Sequence, residues 1–335
     1  MPQKLDAIHR ILFVRTDRMG DLLMNLPAVR ALRQNYPKTW ITLLVDATNA
    51  ALLRGHPDID EVLAIDAARL KKDLSYRLDV FRKVKAARFD MAVVSNPNKF
   101  FHALVFAAGI RHRVGHRRKW GFLLNHSTVP PLANDPRHEI DRNLGLLSPV
   151  SSVVWDGRID IPIDAKAAER VAVRLNKDFP GAAPLVAVHA GTSNPAKRWS
   201  AEKFTALCDR LVGDEGMAVM LVGGPEEKAV ALEIMSRVRV PVRDWTGDTT
   251  LAELVALLSH ARVKLLVSSD SGPVHIAWMA GTPVVALYAK NVPGSDPRRW
   301  GPRDAASEVF HAPMEGMHCD AVQALARKVL AKAKK

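Results

Sequence analysis

Cysteine is almost absent. Cys208 and Cys319 are the only two in 335 residues. They lie far apart and outside any paired-ligand motif, which excludes a disulfide framework and a cysteine zinc site and suits a reducing compartment. Aromatic side chains make up only 6% of the chain, so platforms for stacking nucleic-acid bases are poorly supplied. No apolar run approaches the roughly 20 residues of a membrane helix. The opening stretch "MPQKLDAIHRILFVRTDRMGD" lacks the apolar segment of a signal peptide, and a cytoplasmic location is the expectation. Both the Walker A spacing and the GxGxxG fingerprint are missing, so neither a P-loop nucleotide site nor a nicotinamide site is supported.

Acid is also scarce: 35 Asp and Glu stand against 48 Lys and Arg, a net charge of +13. A surplus of that size implies an anionic partner, whether nucleic acid, an acidic membrane surface or a phosphorylated substrate. With 48% apolar and 25% charged residues, the composition is that of a folded globular protein. The length favours two domains over one core.

Short apolar runs alternate with amphipathic stretches throughout. "ILFV" (11–14), "ITLLV" (41–45), "EVLAI" (61–65) and "MAVVS" (91–95) read as strands separated by helices. The pattern restarts after "RIDIPID" (158–164) with "PLVAVHAG", "AVMLVGG", "KLLVSS" and "VVALY". The expectation is an α/β chain of two doubly wound domains, 1–160 and 161–335. The last helix carries Arg327, Lys328, Lys332, Lys334 and Lys335 near its end, where cations suit the helix dipole; its packing against the first domain is left open.

In parallel sheets ligands sit beyond the carboxyl ends of strands, so the loops there are searched first. In "SSDSGPVHIAWMAGTPVVALY" (268–288), Ser271 or Gly272 stands at an N-cap and Pro273 in the first helical turn, an arrangement that exposes N–H groups to an anion. His275 follows in that turn. In "HAGTSNPAKRWSAEKF" (189–204), glycine, hydroxyls and the cations Lys197 and Arg198 form a second anion loop. Two such loops in one domain suggest a diphosphate. In "RTDRMGDLLMNLPAVRAL" (15–32), Asp21 begins a helix and would face those loops as a general base.

These segments, with "LVGGPEE" and "DPRRWGP", resemble glycosyltransferase family nine, the heptosyltransferases of lipopolysaccharide core assembly, in order and over nearly the whole chain. The resemblance implies a GT-B fold of two Rossmann-like domains facing a cleft, and inversion at the anomeric carbon with no cofactor and no catalytic metal. It implies ADP-heptose as the donor and an anionic lipid-linked saccharide as the acceptor. By position, Asp21 matches the catalytic base, and Thr192, Ser193 and Lys197 match phosphate contacts. Asp270, Ser271, Gly272 and His275 match the second donor loop, Glu226 an acidic ribose contact, and Thr249 the neighbourhood of the adenine. The chain departs from the family in having Asp17 and Arg18 where small residues are usual, Ala190 in place of a proline, and a longer "YAKNVPGSDPRRWGP". These changes bear on which donor and acceptor are used.

Asp58 and Asp60 form a DxD pair superficially like the one that binds metal in other glycosyltransferases, but a turn entering "EVLAI" is the favoured reading of them. The run "RHRVGHRRKWG" (111–121) holds Arg111, Arg113, Arg117, Arg118 and Lys119 without an acid. It reads as a solvated basic face or, with Arg18, as an acceptor contact beside an anionic membrane that would permit peripheral attachment. The rivals are a nucleic-acid binder, disfavoured by dispersed charge and few aromatics; a non-catalytic nucleotide-sugar binder; and a family-nine enzyme with another sugar or acceptor.

Overall fold

The computed structural model describes residues 5, 8–132, 135–150, 152, 155–181 and 183–332. The chain divides into two compact units, Met1–Pro162 and Ile163–Lys335.

In the first unit β1 (Arg10–Arg15), β2 (Trp40–Asp46), β3 (Glu61–Ile65), β4 (Met91–Val94), β5 (His112–His116) and β6 (His126–Thr128) form one sheet in the order β3-β2-β1-β4-β5-β6. Every neighbouring pair is parallel. The central strands are apolar on both faces because helices cover both sides; Ile11, Leu12, Phe13 and Val14 of β1 are all buried.

The second unit repeats the design with β7 (Leu185–His189), β8 (Ala218–Leu221), β9 (Val242–Asp244), β10 (Val263–Ser269), β11 (Val284–Ala289) and β12 (Glu308–Ala312), ordered β12-β11-β10-β7-β8-β9. Numbered from its own first strand, each sheet reads 3-2-1-4-5-6, the doubly wound order whose direction reverses between strands one and four. That reversal opens a crevice beyond β1 and β4 in one unit and beyond β7 and β10 in the other.

One expectation changes. The basic run 111–121 is not only surface, since β5 passes through its first half. The last helix, Cys319–Lys332, buries Val322, Ala326, Val329 and Leu330 in the core of the second unit with Trp199 and Phe204. Its cations have local partners: Arg327 pairs with Glu215, and Lys328 and Lys332 reach Glu308 at 2.9 and 2.8 Å. Lys334 and Lys335 lie outside the described residues. Among the described residues no helix is long and apolar enough to cross a membrane.

Candidate functional site

In the first unit β1 ends on Arg15, which is 7% exposed. A guanidinium at the end of a buried strand must find acceptors, and it finds three. Its Nη2 donates to Asp21 Oδ1 at 2.7 Å, Nε to Asp17 Oδ1 at 2.6 Å and Nη1 to Ser95 Oγ at 3.1 Å. Ser95 follows β4, on the other side of the crevice, and donates to Asn25 Oδ1 at 2.5 Å. Asn25 Nδ2 in turn donates to the Asp21 carbonyl at 2.7 Å. The carboxylate and the backbone of Asp21, in the first turn of the helix Met19–Leu23, are therefore both held from the ends of β1 and β4.

Burial pushes the Asp21 carboxyl from its ordinary 3.8 up to about 6; Arg15 opposes this, Asp17 and Glu139 add to it, and Arg18 opposes. A fixed carboxylate with a pKa near neutrality is suited to general-base work.

In the second unit the crevice is built around His189, the last residue of β7. Its Nδ1 lies 3.0 Å from Ser268 Oγ and 3.2 Å from Ser271 Oγ, and its Nε2 lies 3.2 Å from Glu227 Oε1. Glu227 Oε2 accepts the Gly224 N–H at 2.6 Å. Although burial acts to raise the Glu227 carboxyl, the His189 ring and the Gly224 N–H bring it below its ordinary value. The glycines here are required by space. A Cβ on Gly191 would stand 1.9 Å from Glu227 Oε1, and one on Gly223 would stand 2.5 Å from Oε2.

Beside this group Lys197 Nζ donates to Asp270 Oδ2 at 2.6 Å, and Ser295 Oγ donates to the same oxygen at 2.9 Å. Ser271 occupies the N-cap position of the helix Gly272–Met279 but makes no side-chain cap. Its hydroxyl bonds instead to the Ser269 carbonyl at 2.9 Å. The first-turn N–H groups therefore have no side-chain cap to displace, which is how a helix start receives an anion.

The structure thus brings Lys197, Asp270 and Ser271 together with His189 and Glu227. Thr192 is half-buried and accepts the Asn194 N–H at 3.3 Å, Ser193 is exposed, and Thr249 is half-buried. Gly272 opens its helix, and His275 is buried with its ring centroid 6.5 Å from that of Trp300. Glu226 is exposed; the acid that enters the glycine-lined corner is its neighbour Glu227.

Among the basic candidates Arg18, Arg111, Arg117, Arg118 and Lys119 are exposed. Arg113 is half-buried. Its guanidinium donates to the carbonyls of Leu123 at 2.7 Å and Ile110 at 2.6 Å, so it braces a turn. Asp58 and Asp60 serve arginines of the helix Leu26–Asn35: Asp58 pairs with Arg30 at 3.2 Å and Asp60 with Arg33 at 2.5 Å.

Arg15, Asn25, Ser95, His189, Glu227 and Ser295 were not singled out from the sequence. Arg15 and His189 carried a signal, each being a polar residue closing an otherwise apolar strand.

Residues 77–329 match the sequence model of glycosyltransferase family 9 (heptosyltransferase). Lipopolysaccharide heptosyltransferase 2 of Escherichia coli K12 is 27% identical over 304 residues, covering 86% of this chain and 85% of that one. A family 9 glycosyl transferase from Veillonella parvula superposes with a TM-score of 0.89 at 22% identity, covering 99% of both chains. The E. coli heptosyltransferase WaaC with ADP-2-deoxy-2-fluoro heptose superposes with a TM-score of 0.75 at 21% identity, covering 95% of this chain and 99% of that one. The structural likenesses establish the GT-B fold of two Rossmann-like units. With a match over well more than half its length, the chain belongs to glycosyltransferase family 9, the heptosyltransferases, and is a glycosyltransferase.

Proposed function

We propose that the enzyme moves a heptose from ADP-heptose to a lipopolysaccharide inner-core acceptor at the cytoplasmic face of the membrane, inverting the anomeric carbon without a catalytic metal. The names of its relatives support the substrate class. The observation that carries the chemistry is Asp21, a half-buried carboxylate clamped by Arg15 with its pKa raised to about 6.

Asp21 takes the proton of an acceptor hydroxyl as that oxygen bonds to the anomeric carbon. The bond from that carbon to the diphosphate breaks, its electron pair leaving with ADP. Lys197 and the N–H groups opening the helix Gly272–Met279 take up the charge on the leaving group, and Thr192 and Ser193 complete the cradle. To do so, Lys197 exchanges Asp270 for phosphate. Glu226, Thr249 and His275 belong to the same nucleotide-binding side. Arg18, exposed beside Asp21, is suited to an acceptor phosphate.

The test is calorimetric titration with ADP, UDP and GDP in chelator, followed by transfer from ADP-heptose to deheptosylated core and NMR of the new anomeric proton. Selective ADP binding with an inverted product is expected. Preference for another diphosphate would replace the sugar, whereas binding without transfer would leave a nucleotide-sugar binder.

A further inference from the structure

The segment from β5 to just beyond β6 combines charge and exposed apolar surface in a way the transfer chemistry does not use. Residues 91–134 contain no aspartate or glutamate. Arg111, Arg117, Arg118 and Lys119 project from this segment, and among the described residues none of the four forms a salt bridge. Some cations elsewhere on the surface do, Arg69 with Asp73, Arg170 with Glu253 and Arg298 with Asp296 among them.

Three aromatic rings lie among these cations. Phe122 is 77% exposed, Phe106 52% and Trp120 42%. They belong to one surface. Lys99 lies over the Trp120 ring at 5.9 Å and Arg113 over the Phe106 ring at 5.4 Å, while Arg113 also holds the carbonyl of Leu123. Val129, 73% exposed, adjoins the same edge, where the Arg117 N–H donates to Thr128 at 2.8 Å.

The backbone fixes this display. Lys119 has φ 53°, a left-handed conformation uncommon for a residue with a side chain. The Arg118 N–H is held by the His116 carbonyl at 2.7 Å, and a Cβ on Gly121 would come within 3.1 Å of that same carbonyl. The rings of Trp120 and Phe122 are thus presented by a closed turn, whereas a merely solvated basic face would carry polar neighbours. One exposed apolar residue is ordinary; several aromatic rings interleaved with unpaired cations form a patch that marks a binding surface.

We propose that this patch docks the enzyme on an anionic lipid bilayer, with Trp120 and Phe122 entering the headgroup layer and Arg111, Arg117, Arg118 and Lys119 facing the lipid phosphates. Amphipathic rings favour that depth, and each cation adds attraction that falls off within a Debye length. Such docking does not depend on which sugar is moved.

The test uses the full chain with vesicles lacking any saccharide acceptor, either phosphatidylcholine alone or phosphatidylcholine with phosphatidylglycerol. Binding only to the anionic vesicles is expected, weakened by salt. The paired substitutions Trp120→Ser with Phe122→Ser, and Arg117→Glu with Arg118→Glu, should each lower the partition by about tenfold or more. ADP affinity and thermal midpoint should stay at the wild-type level in both, and transfer to a delipidated acceptor should stay there in the aromatic variant. Brominated acyl chains should quench tryptophan fluorescence in the wild type and not in Trp120→Phe.

Three results would overturn the proposal: no preference for anionic vesicles, binding that requires the saccharide acceptor in the bilayer, or loss in the arginine variant with none in the aromatic one. The first would leave a solvated face, the second an acceptor contact, the third a simple charge effect. If transfer fails while vesicle binding persists, the reaction assignment fails and the docking surface stands.

Discussion

Both units put their polar groups at the same point of the same topology, beyond the first and fourth strands of a 3-2-1-4-5-6 sheet. The first sets an arginine between two carboxylates there, and the second sets a histidine, a glutamate and a lysine around close-packed glycines. The strand order gives location and nothing more. What differs is the residue closing the first strand. Arg15 draws Asp17 and Asp21 inward, leaving a half-buried carboxylate that resists ionisation. His189 instead links two serines to Glu227, and Lys197 stays close to an uncapped helix start. One arrangement is suited to accepting a proton, the other to receiving an anion.

The largest break in this comparison should come from Asp21→Asn. Turnover is expected to fall by about 10²–10⁴, the range typical of a lost general base, while calorimetry shows ADP affinity unchanged. In the wild type turnover should decline as pH falls through about 6, where the carboxyl gains its proton. Replacing Arg15 with Gln should move that limb to higher pH, because the guanidinium holds the value down.

Asp21→Asn should also gain stability. With a pKa of about 6 folded against 3.8 unfolded, Asp21 is protonated in both states under strongly acidic conditions and contributes no difference. As pH rises through this window the unfolded chain releases its proton first, so stability falls and then levels above about 6. The deficit is about 3 kcal/mol. Urea unfolding of Asp21→Asn should recover up to that amount near neutral pH and none of it in strong acid. Equal stabilities at every pH would show that the half-buried Asp21 charge costs the fold nothing.

Lys197→Ala probes the other arrangement. A hydrogen bond to a charged group contributes about 1.5–3 kcal/mol, so ADP should bind about ten- to a hundredfold more weakly, with the limb assigned to Asp21 left in place. A shifted limb with unchanged ADP affinity would reverse the division between the units.

Much of this was legible in the sequence, and the failures share a cause. Central parallel strands are buried on both faces and read as apolar runs, which is why β1, β2, β4, β7, β10 and β11 stood out. The unread strands β5, β6, β9 and β12 lie toward the sheet margins. There "HRVGH", "HST", "VRD" and "EVFHA" carry polar side chains that the covering layer no longer excludes. The anion loops were readable because glycine, hydroxyl and cation are contiguous in each. Arg15 with Ser95, and His189 with Glu227, were not, since only the fold brings together residues 80 and 38 positions apart.

The smallest expected effect separates the glycines of the second unit. Gly191→Ala would put a methyl group 1.9 Å from a Glu227 oxygen that also lies 3.2 Å from the His189 ring, so the carboxylate must leave its seat or β7 must shift. Overpacking of this kind costs about 1–3 kcal/mol, and ADP binding should weaken with it if Glu227 helps shape the nucleotide side. Gly213 is the control. It ends the helix Ala201–Gly213, a Cβ there meets nothing within 4 Å, and its φ is not left-handed. Gly213→Ala should therefore raise stability by about 0.4–1 kcal/mol through the unfolded chain alone. If both variants behaved alike in unfolding and in calorimetry, close packing of Glu227 against Gly191 would not be what distinguishes this crevice from that of the first unit.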